Sequence, residues 1–346
     1  MDKHMMAAVL YGKEQVRVEN VSVPEIGKSD VLVRVRAALT CGTDVKVFRR
    51  GYHAKMITPP ALFGHELAGD VVAVGEHVEG FHPGQRVVAA NSAPCLNCFY
   101  CKKGLENLCE DLLFNNGAYA EYIRIPARIV QRNMHVIPNN LSYQDAALIE
   151  PLACVLKGVE DVHIRPGDNV VVIGQGPIGL MFVRMAKVYG ARVIALGRRT
   201  SQLEKALRIG AHDALLNTDN IDVIRQVKDL TEGYGADIVI EAVGKPETWE
   251  LAVKLLRRAG TVNFFGGCPS DTRVNLETHV LHYSEIKCIA SFHHTPYLIR
   301  KALDVVARGD INSREFVNRE EPLTNLLEVF RHLMSHNGHM KTAIIP

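Results

Sequence analysis

The chain has 346 residues, 47% apolar and 23% charged, enough for two packed domains at about 150 residues each. Its net charge of +2 excludes nucleic acid or an anionic membrane surface as a charge-driven partner. No apolar run approaches the ~18 residues of a membrane span, and the opening MDKHMMAAVL lacks the apolar stretch of a secretory leader, so a cytoplasmic protein is expected.

Residues 6–90 read as a β-rich region. VLVRVRAAL (31–39) and LAGDVVAVG (67–75) carry strand alternation or β-branched apolar runs, with Gly and Pro between them. PGQRVVA (83–89) puts a turn before a further strand. Two short stretches here hold metal-binding groups. TCGTDVK (40–46) supplies Cys41, and FGHELAGD (63–70) supplies His65 with Glu66 beside it. A thiolate and an imidazole are good zinc ligands. Further on, LIEPLAC (148–154) adds Glu150, with Cys154 four residues later as a competing ligand. A catalytic zinc takes three protein ligands and keeps a fourth position open. Singly, a cysteine is commonly buried filler and a histidine an ordinary core or surface residue; the combination points to a metal.

Between these stretches lies CLNCFYCKKGLENLC (95–109), with four of the eight cysteines in fifteen residues. Disulfides are rare in a reducing cytosol, where such a pattern more often binds metal. Cys95, Cys98, Cys101 and Cys109 follow a C-x2-C-x2-C-x7-C spacing, which lets one lobe wrap a tetrahedral ion. Four sulfurs leave no open position, so a structural zinc is expected. The alternatives are reactive or disulfide-bonded cysteines and an iron–sulfur cluster, whose usual spacings differ. A nucleic-acid-binding zinc ribbon would need a longer insert between two cysteine pairs and a basic face.

From about Ala153 the pattern changes to alternating strand and helix. NVVVIG (169–174) reads as a buried strand, GLMFVRMAKVYG (179–190) as a helix ending on Gly190, and RVIAL (192–196) as the next strand. SQLEKALRIG suggests a helix with a capping box of Ser201 and Glu204, closed by Gly210. DIVIEAVG (237–244) and TVNFFGG (261–267) continue the rhythm, which predicts a parallel sheet with helices on both faces. The rhythm fades after about residue 285. Gly174-Gln175-Gly176-Pro177-Ile178-Gly179 is a G-x-G-x-x-G run between strand and helix, the context a dinucleotide pyrophosphate requires. Its Gly174, Gly176, Pro177, Ile178 and Gly179, together with Val243 at the end of DIVIEAVG, form the candidate cofactor set. About twenty residues on, an NAD site usually presents a carboxylate to the ribose 2′-hydroxyl. This chain has Gly197, Arg198 and Arg199 there, two guanidiniums suited to a 2′-phosphate, so NADP(H) is favoured over NAD(H).

Taken together, GHE-x2-G, the four-cysteine lobe, G-x-G-x-x-G and GAYAEY (117–122) resemble the zinc-dependent, medium-chain alcohol dehydrogenase family, and EPLA resembles its sorbitol (polyol) branch. The resemblance implies an α/β protein. A GroES-like β-rich catalytic domain (1–152 and 286–346) would carry a catalytic and a structural zinc. A Rossmann doubly wound parallel-sheet domain (153–285) would bind the dinucleotide. It implies Cys41 and His65 as ligands, Glu66 and Glu150 supplying or exchanging the remaining positions, with Glu150 favoured over Cys154, Asp44 orienting His65, and Thr43 relaying the proton. Relatives often continue that relay through a histidine where this chain has Lys46. The expected reaction moves hydride between NAD(P) and a secondary alcohol or ketone: a polyol, cyclitol or sugar derivative, or alternatively an amino-alcohol such as threonine. His293, His294, Phe48 and Tyr52 are candidates for the substrate pocket. Arg49, Arg50, His53 and Lys55 form a basic cluster suited to a sugar phosphate. A homo-oligomer, dimer or tetramer, is expected by the same resemblance. A non-catalytic zinc-binding or nucleic-acid-binding protein is the reading of another class.

Overall fold

In a computed structural model of the chain, residues 3–53, 55–218, 221–335 and 340–346 are described; Met1 and Asp2 of the opening decapeptide lie outside them. The chain divides into two units, Met1–Ala153 with His294–Pro346, and Cys154–His293. Among the described residues no helix is long and apolar enough to cross a membrane.

The first unit is built on a seven-stranded sheet. Val31–Leu39 lies at its centre and pairs antiparallel with Glu66–Val74, Tyr122–Ile125 and Lys341–Ile345. Only Arg34 and Arg36 of this strand are exposed; its other residues are buried, as befits a strand covered on both sides. The chain's last strand lays Ala343 opposite Leu39, which carries Lys341 to Thr40. Beneath the sheet Phe48, Phe63, Tyr119 and Phe330 form an aromatic cluster with centroids 5.4–6.0 Å apart. All four are fully buried, so each ring contributes on the order of 2–3 kcal/mol of transfer free energy and fixes its neighbours' rotamers.

Six parallel strands make up the sheet of the second unit. Across the sheet they run Asp213–Leu216, Arg192–Gly197, Asn169–Ile173, Ala236–Glu241, Leu256–Phe264 and Lys287–Ile289. In chain order that is 3-2-1-4-5-6, the dinucleotide-binding arrangement. The order reverses between Asn169–Ile173 and Ala236–Glu241, which pair at Val171 and Val239. A crevice beyond the carboxyl ends of strands at such a reversal is where open α/β sheets take ligands. The last strand is three residues long and largely exposed, with none of the apolar run that marks its neighbours. The expected capping box does not form. The helix starts at Thr200, with Arg199 at its N-cap and no capping hydrogen bond, so Ser201 is already inside the first turn. Only Arg198 and Arg199 separate this helix from the strand ending at Gly197, so the cap position falls on Arg199, whose side chain makes no capping hydrogen bond. Its other end is as the sequence predicts: Gly210 stops it at φ +136°.

Candidate metal centres and dinucleotide site

The four-cysteine lobe gathers its sulfurs within 4.8 Å of one another. Cys95 Sγ is 4.0 Å from Cys101 Sγ, and Cys98 Sγ is 3.9 Å from Cys109 Sγ. A tetrahedral site with metal–sulfur bonds of about 2.3 Å has edges of about 3.8 Å, so the set fits zinc. No pair is close enough for a disulfide, and all four cysteines are free. Local backbone shapes the cage: the N–H groups of Asn97 and Cys98 donate to Cys95 Sγ at 3.3 Å, and that of Cys95 to Cys109 Sγ at 3.2 Å. N–H groups from Cys101 and Glu110 pull the Cys98 thiol down to about 6, whereas burial pushes Cys101 up to about 12. Four thiolates this close repel one another, and a central cation removes that penalty.

A second donor group comes from separate stretches. Cys41 is the N-cap of the helix Gly42–Arg50, and its Sγ accepts from the Thr43 N–H at 3.4 Å. One turn in, Asp44 is 2% exposed; its Oδ1 is 2.8 Å from His65 Nδ1, and its Oδ2 accepts from Tyr119 OH at 2.6 Å. Asp44 thereby keeps the His65 proton on Nδ1 and leaves the Nε2 lone pair for a ligand role. Burial opposes charge on His65, but the carboxylate of Asp44 and the thiol of Cys41 outweigh it and raise its pKa well above 6.5. This is a spot that favours positive charge. Burial and Asp44 together raise Tyr119 well above 10, so its hydroxyl remains a donor.

Cys41, His65 and Glu66 offer three ligand atoms within 4.8 Å of one another. Thiolate, imidazole and carboxylate suit zinc in a site with a position to spare. Glu66 is fully buried and holds Lys341 Nζ between its two oxygens, each at 2.6 Å. Lys341 Nζ also donates to Thr40 O at 3.1 Å. Burial works against this ammonium, but Glu66 and Cys41 outweigh it and keep its pKa above 10.5. That group of three includes neither Glu150 nor Cys154. Glu150, 6% exposed, faces His294, whose Nε2 is 3.7 Å from Oε1 and 3.2 Å from Asn91 Oδ1. Burial, with Glu66 adding to it, pushes the Glu150 carboxyl up to about 7. Cys154 begins the second unit.

Of the other candidates, Thr43 is half-buried in the first turn of the Cys41 helix, and Lys46 is exposed. Phe48 belongs to the aromatic core, 2% exposed, rather than to a pocket wall, and Tyr52 is exposed. His293 has a left-handed backbone at φ +60°. Lys341 and Tyr119 went unassigned in the sequence. Tyr119 stood inside GAYAEY and could have been suspected there. Lys341 is one charge in an otherwise ordinary strand, with no spacing that relates it to Glu66.

In the second unit the glycine run has the form a pyrophosphate needs. Gly174 sits at φ +95°, where a Cβ would also meet Val243 Cγ2 at 2.5 Å. A Cβ on Gly179 would fall 1.7 Å from Gly174 O, so helix and strand approach here only without one. Gly176 differs: a Cβ there meets nothing within 4 Å. The protein's own packing does not require this glycine, but close approach of a phosphate to the backbone does. Gly176 is the N-cap of Pro177–Val188 and has no side chain to satisfy the free N–H groups of Ile178 and Gly179, leaving an open, partly positive helix end. Val243 is held by Glu241, whose buried carboxylate accepts from the Val243 and Gly244 N–H groups at 2.9 and 3.0 Å. Arg198 is exposed and Arg199 half-buried, and neither forms an ion pair with a described residue.

Comparison with known proteins agrees with this geometry. Residues 27–138 match the alcohol dehydrogenase GroES-like domain, and residues 177–308 match the zinc-binding dehydrogenase family. Sorbitol dehydrogenase of Bacillus subtilis (strain 168) is 30% identical over 352 residues, 99% of this chain and 98% of the relative. D-arabitol-phosphate dehydrogenase of Enterococcus avium is 34% identical over 334 residues, 94% and 93% of the two chains. A crystal structure from Sinorhizobium meliloti 1021, of a protein assigned as a zinc-binding dehydrogenase and bound to NADP, superposes with a TM-score of 0.90 at 31% identity over 100% of both chains. The chain belongs to the zinc-dependent medium-chain alcohol dehydrogenases, in their sorbitol dehydrogenase-like branch, and is an oxidoreductase that uses a nicotinamide cofactor.

Proposed function

We propose that this enzyme oxidises a secondary hydroxyl of a polyol, a cyclitol or a sugar derivative, or reduces the matching ketone, and prefers NADP(H). It would hold one structural zinc on Cys95, Cys98, Cys101 and Cys109. A catalytic zinc would lie on Cys41, His65 and Glu66, with Glu150 able to exchange into the shell. One observation carries the catalytic assignment: Asp44, itself held by Tyr119, engages His65 Nδ1, and His65 offers a ligand atom within 4.8 Å of those of Cys41 and Glu66. Support for Glu66 over Glu150 as the third donor is its place within that 4.8 Å group.

Zinc bound there supplies Lewis acidity, which makes an alcohol hydroxyl acidic near neutral pH. The residues do the rest. Asp44 keeps the His65 proton on Nδ1 throughout. Lys341 holds Glu66 in place and balances its charge. Thr43 would take the hydroxyl proton on its Oγ1 and pass it to solvent. The helix end at Gly176 would anchor the cofactor pyrophosphate, and Arg198 and Arg199 the 2′-phosphate. Support for NADP(H) is the absence of a carboxylate at Gly197 and the two guanidiniums free of described ion-pair partners.

Two relatives point to the substrate class, one named for sorbitol and one for arabitol phosphate. Arg50 and Lys55 are exposed, and burial and the neighbouring Arg50 lower the pKa of His53, so the two exposed cations would meet a sugar phosphate. A homo-oligomer, dimer or tetramer, is part of the same reading. The deciding experiment assays polyols, cyclitols, sugar phosphates, threonine and simple alcohols with both cofactors, alongside zinc content and the Cys41→Ser variant. Two zinc ions per chain, turnover of a polyol or its phosphate, and its loss in Cys41→Ser are expected. Turnover of threonine alone, or full activity in Cys41→Ser, would refute the proposal.

A further inference from the structure

Gly197 ends the second strand of the parallel sheet, at the place where a carboxylate would recognise a ribose 2′-hydroxyl. Restoring an acid there is the obvious route to NAD. The packing opposes it. A Cβ on Gly197 stands 3.1 Å from Gln175 Cγ, 3.3 Å from Leu203 Cδ2 and 3.7 Å from Gln175 Cβ. The first two are shorter than ordinary carbon contacts, so a neighbour must give way.

Gln175 is poorly placed to yield. It is 2% exposed, and its Nε2 donates to Val172 O at 2.8 Å and to Leu196 O at 3.3 Å. One amide thus staples the carboxyl ends of the first two strands. Two carbonyl acceptors also fix its orientation, since the reverse would set its oxygen against their lone pairs. The other end, Oε1, is buried with no partner. A methionine or leucine would fill the same space without that cost, so packing alone does not account for a glutamine.

We infer that Gln175 is a specificity-determining residue for the cofactor: its stapled side chain reserves position 197 for glycine and holds the Arg198–Arg199 tip where a 2′-phosphate is met. The inference rests on the NADP(H) reading above. It has a plain consequence. Gly197→Asp alone pushes the tip out of place and weakens both cofactors, and conversion to NAD needs Gln175 shortened as well.

Trp249, the chain's single tryptophan, makes the test direct, because energy transfer from it reads NADPH or NADH binding in the intact protein. Dissociation constants for both cofactors are measured in wild type, Gly197→Ala, Gln175→Ala and the double variant, then with Gly197→Asp in place of Gly197→Ala. The added methyl is expected to weaken binding roughly tenfold in wild type but by less than about twofold in the Gln175→Ala background. Only Gln175→Ala with Gly197→Asp should favour NADH. Gln175→Met, which keeps the crowding carbons and loses the amide staple, should relieve part of the methyl's cost, and an undiminished cost there would overturn the role given to the staple. Should Gly197→Asp not fold, the alanine cycle decides alone. An equal methyl cost in both backgrounds, or a clean switch to NADH by Gly197→Asp by itself, overturns the inference. Equal affinity of wild type for NADPH and NADH overturns the NADP(H) reading instead, and leaves the coupling between 175 and 197 measurable on either cofactor.

Discussion

The four-cysteine lobe and the Cys41–His65–Glu66 group lie in one unit and suit the same ion, yet they are assembled in opposite ways. The lobe takes every sulfur from residues 95–109 and orients them with N–H groups of that same stretch. The other group draws on four stretches, at 40–44, 65–66, 119 and 341, and its order comes from buried side chains holding one another. A local cage loses little loop entropy and depends on its ion for cohesion. A dispersed one is made rigid by the core beneath it, here the aromatic cluster that includes Tyr119. The first should fail as a unit when one ligand is lost, the second in steps along its hydrogen-bond chain.

Cys98→Ser tests the lobe and should have the largest effect. One of the two proposed zinc ions is expected to leave, with a stability loss of several kcal/mol, part of the roughly 10–16 kcal/mol that structural zinc can supply. Metal analysis and urea denaturation check it; an unchanged midpoint with full zinc would erase the contrast. Lys341→Met comes next in size. It strands the Glu66 carboxylate in the interior, at about 3–5 kcal/mol, and Glu66→Gln in the same chain should recover part of that. Denaturant midpoints of the single and double variants give the answer.

Asp44→Asn is a finer cut. The fold should persist while chelator competition shows metal affinity down about 10–100-fold, since His65 loses the partner that sets its tautomer. Tyr119→Phe goes one link further out. It removes the hydroxyl that serves Asp44 Oδ2 and Leu39 O, and should cost about 1–2 kcal/mol with a smaller change in metal affinity. The mildest test uses pH and a group outside both sites. Burial would raise the Asp145 carboxyl, but the Ser142 hydroxyl and the Ser313 N–H hold it below 3.8. A carboxyl depressed in the folded state contributes stability above its unfolded pKa and loses it as pH falls through the folded value. Asp145→Asn should therefore flatten the acid limb of stability below about pH 4 while both metal sites keep their ions.

The same contrast explains what could be read before the fold was seen. Cysteine spacing announced the lobe because its four sulfurs come from neighbours in the chain. The glycine run announced the nucleotide site because strand, turn and helix follow one another there. Cys41 and His65 were legible as residue types, and Asp44 through the resemblance. Phe48 looked like a pocket residue until the helix carrying it was seen to face Phe330. Ser201 and Glu204 matched a capping box, but the helix starts two residues earlier, with Arg199 rather than Ser201 at its N-cap.

By itself the sequence determined most of the element types, the parallel sheet of the nucleotide half, the donor types of both candidate metal groups and the bare strand tip at Gly197. Each depends on residues close together in the chain, where period and spacing act directly. The tertiary structure alone decided that Lys341 neutralises Glu66, that Tyr119 completes the chain from Asp44 to His65, and that Gln175 fills the space beside Gly197. These are contacts across tens to hundreds of residues, set by strand register and by the desolvation cost of leaving a charge or an amide unpaired, and no local pattern encodes either.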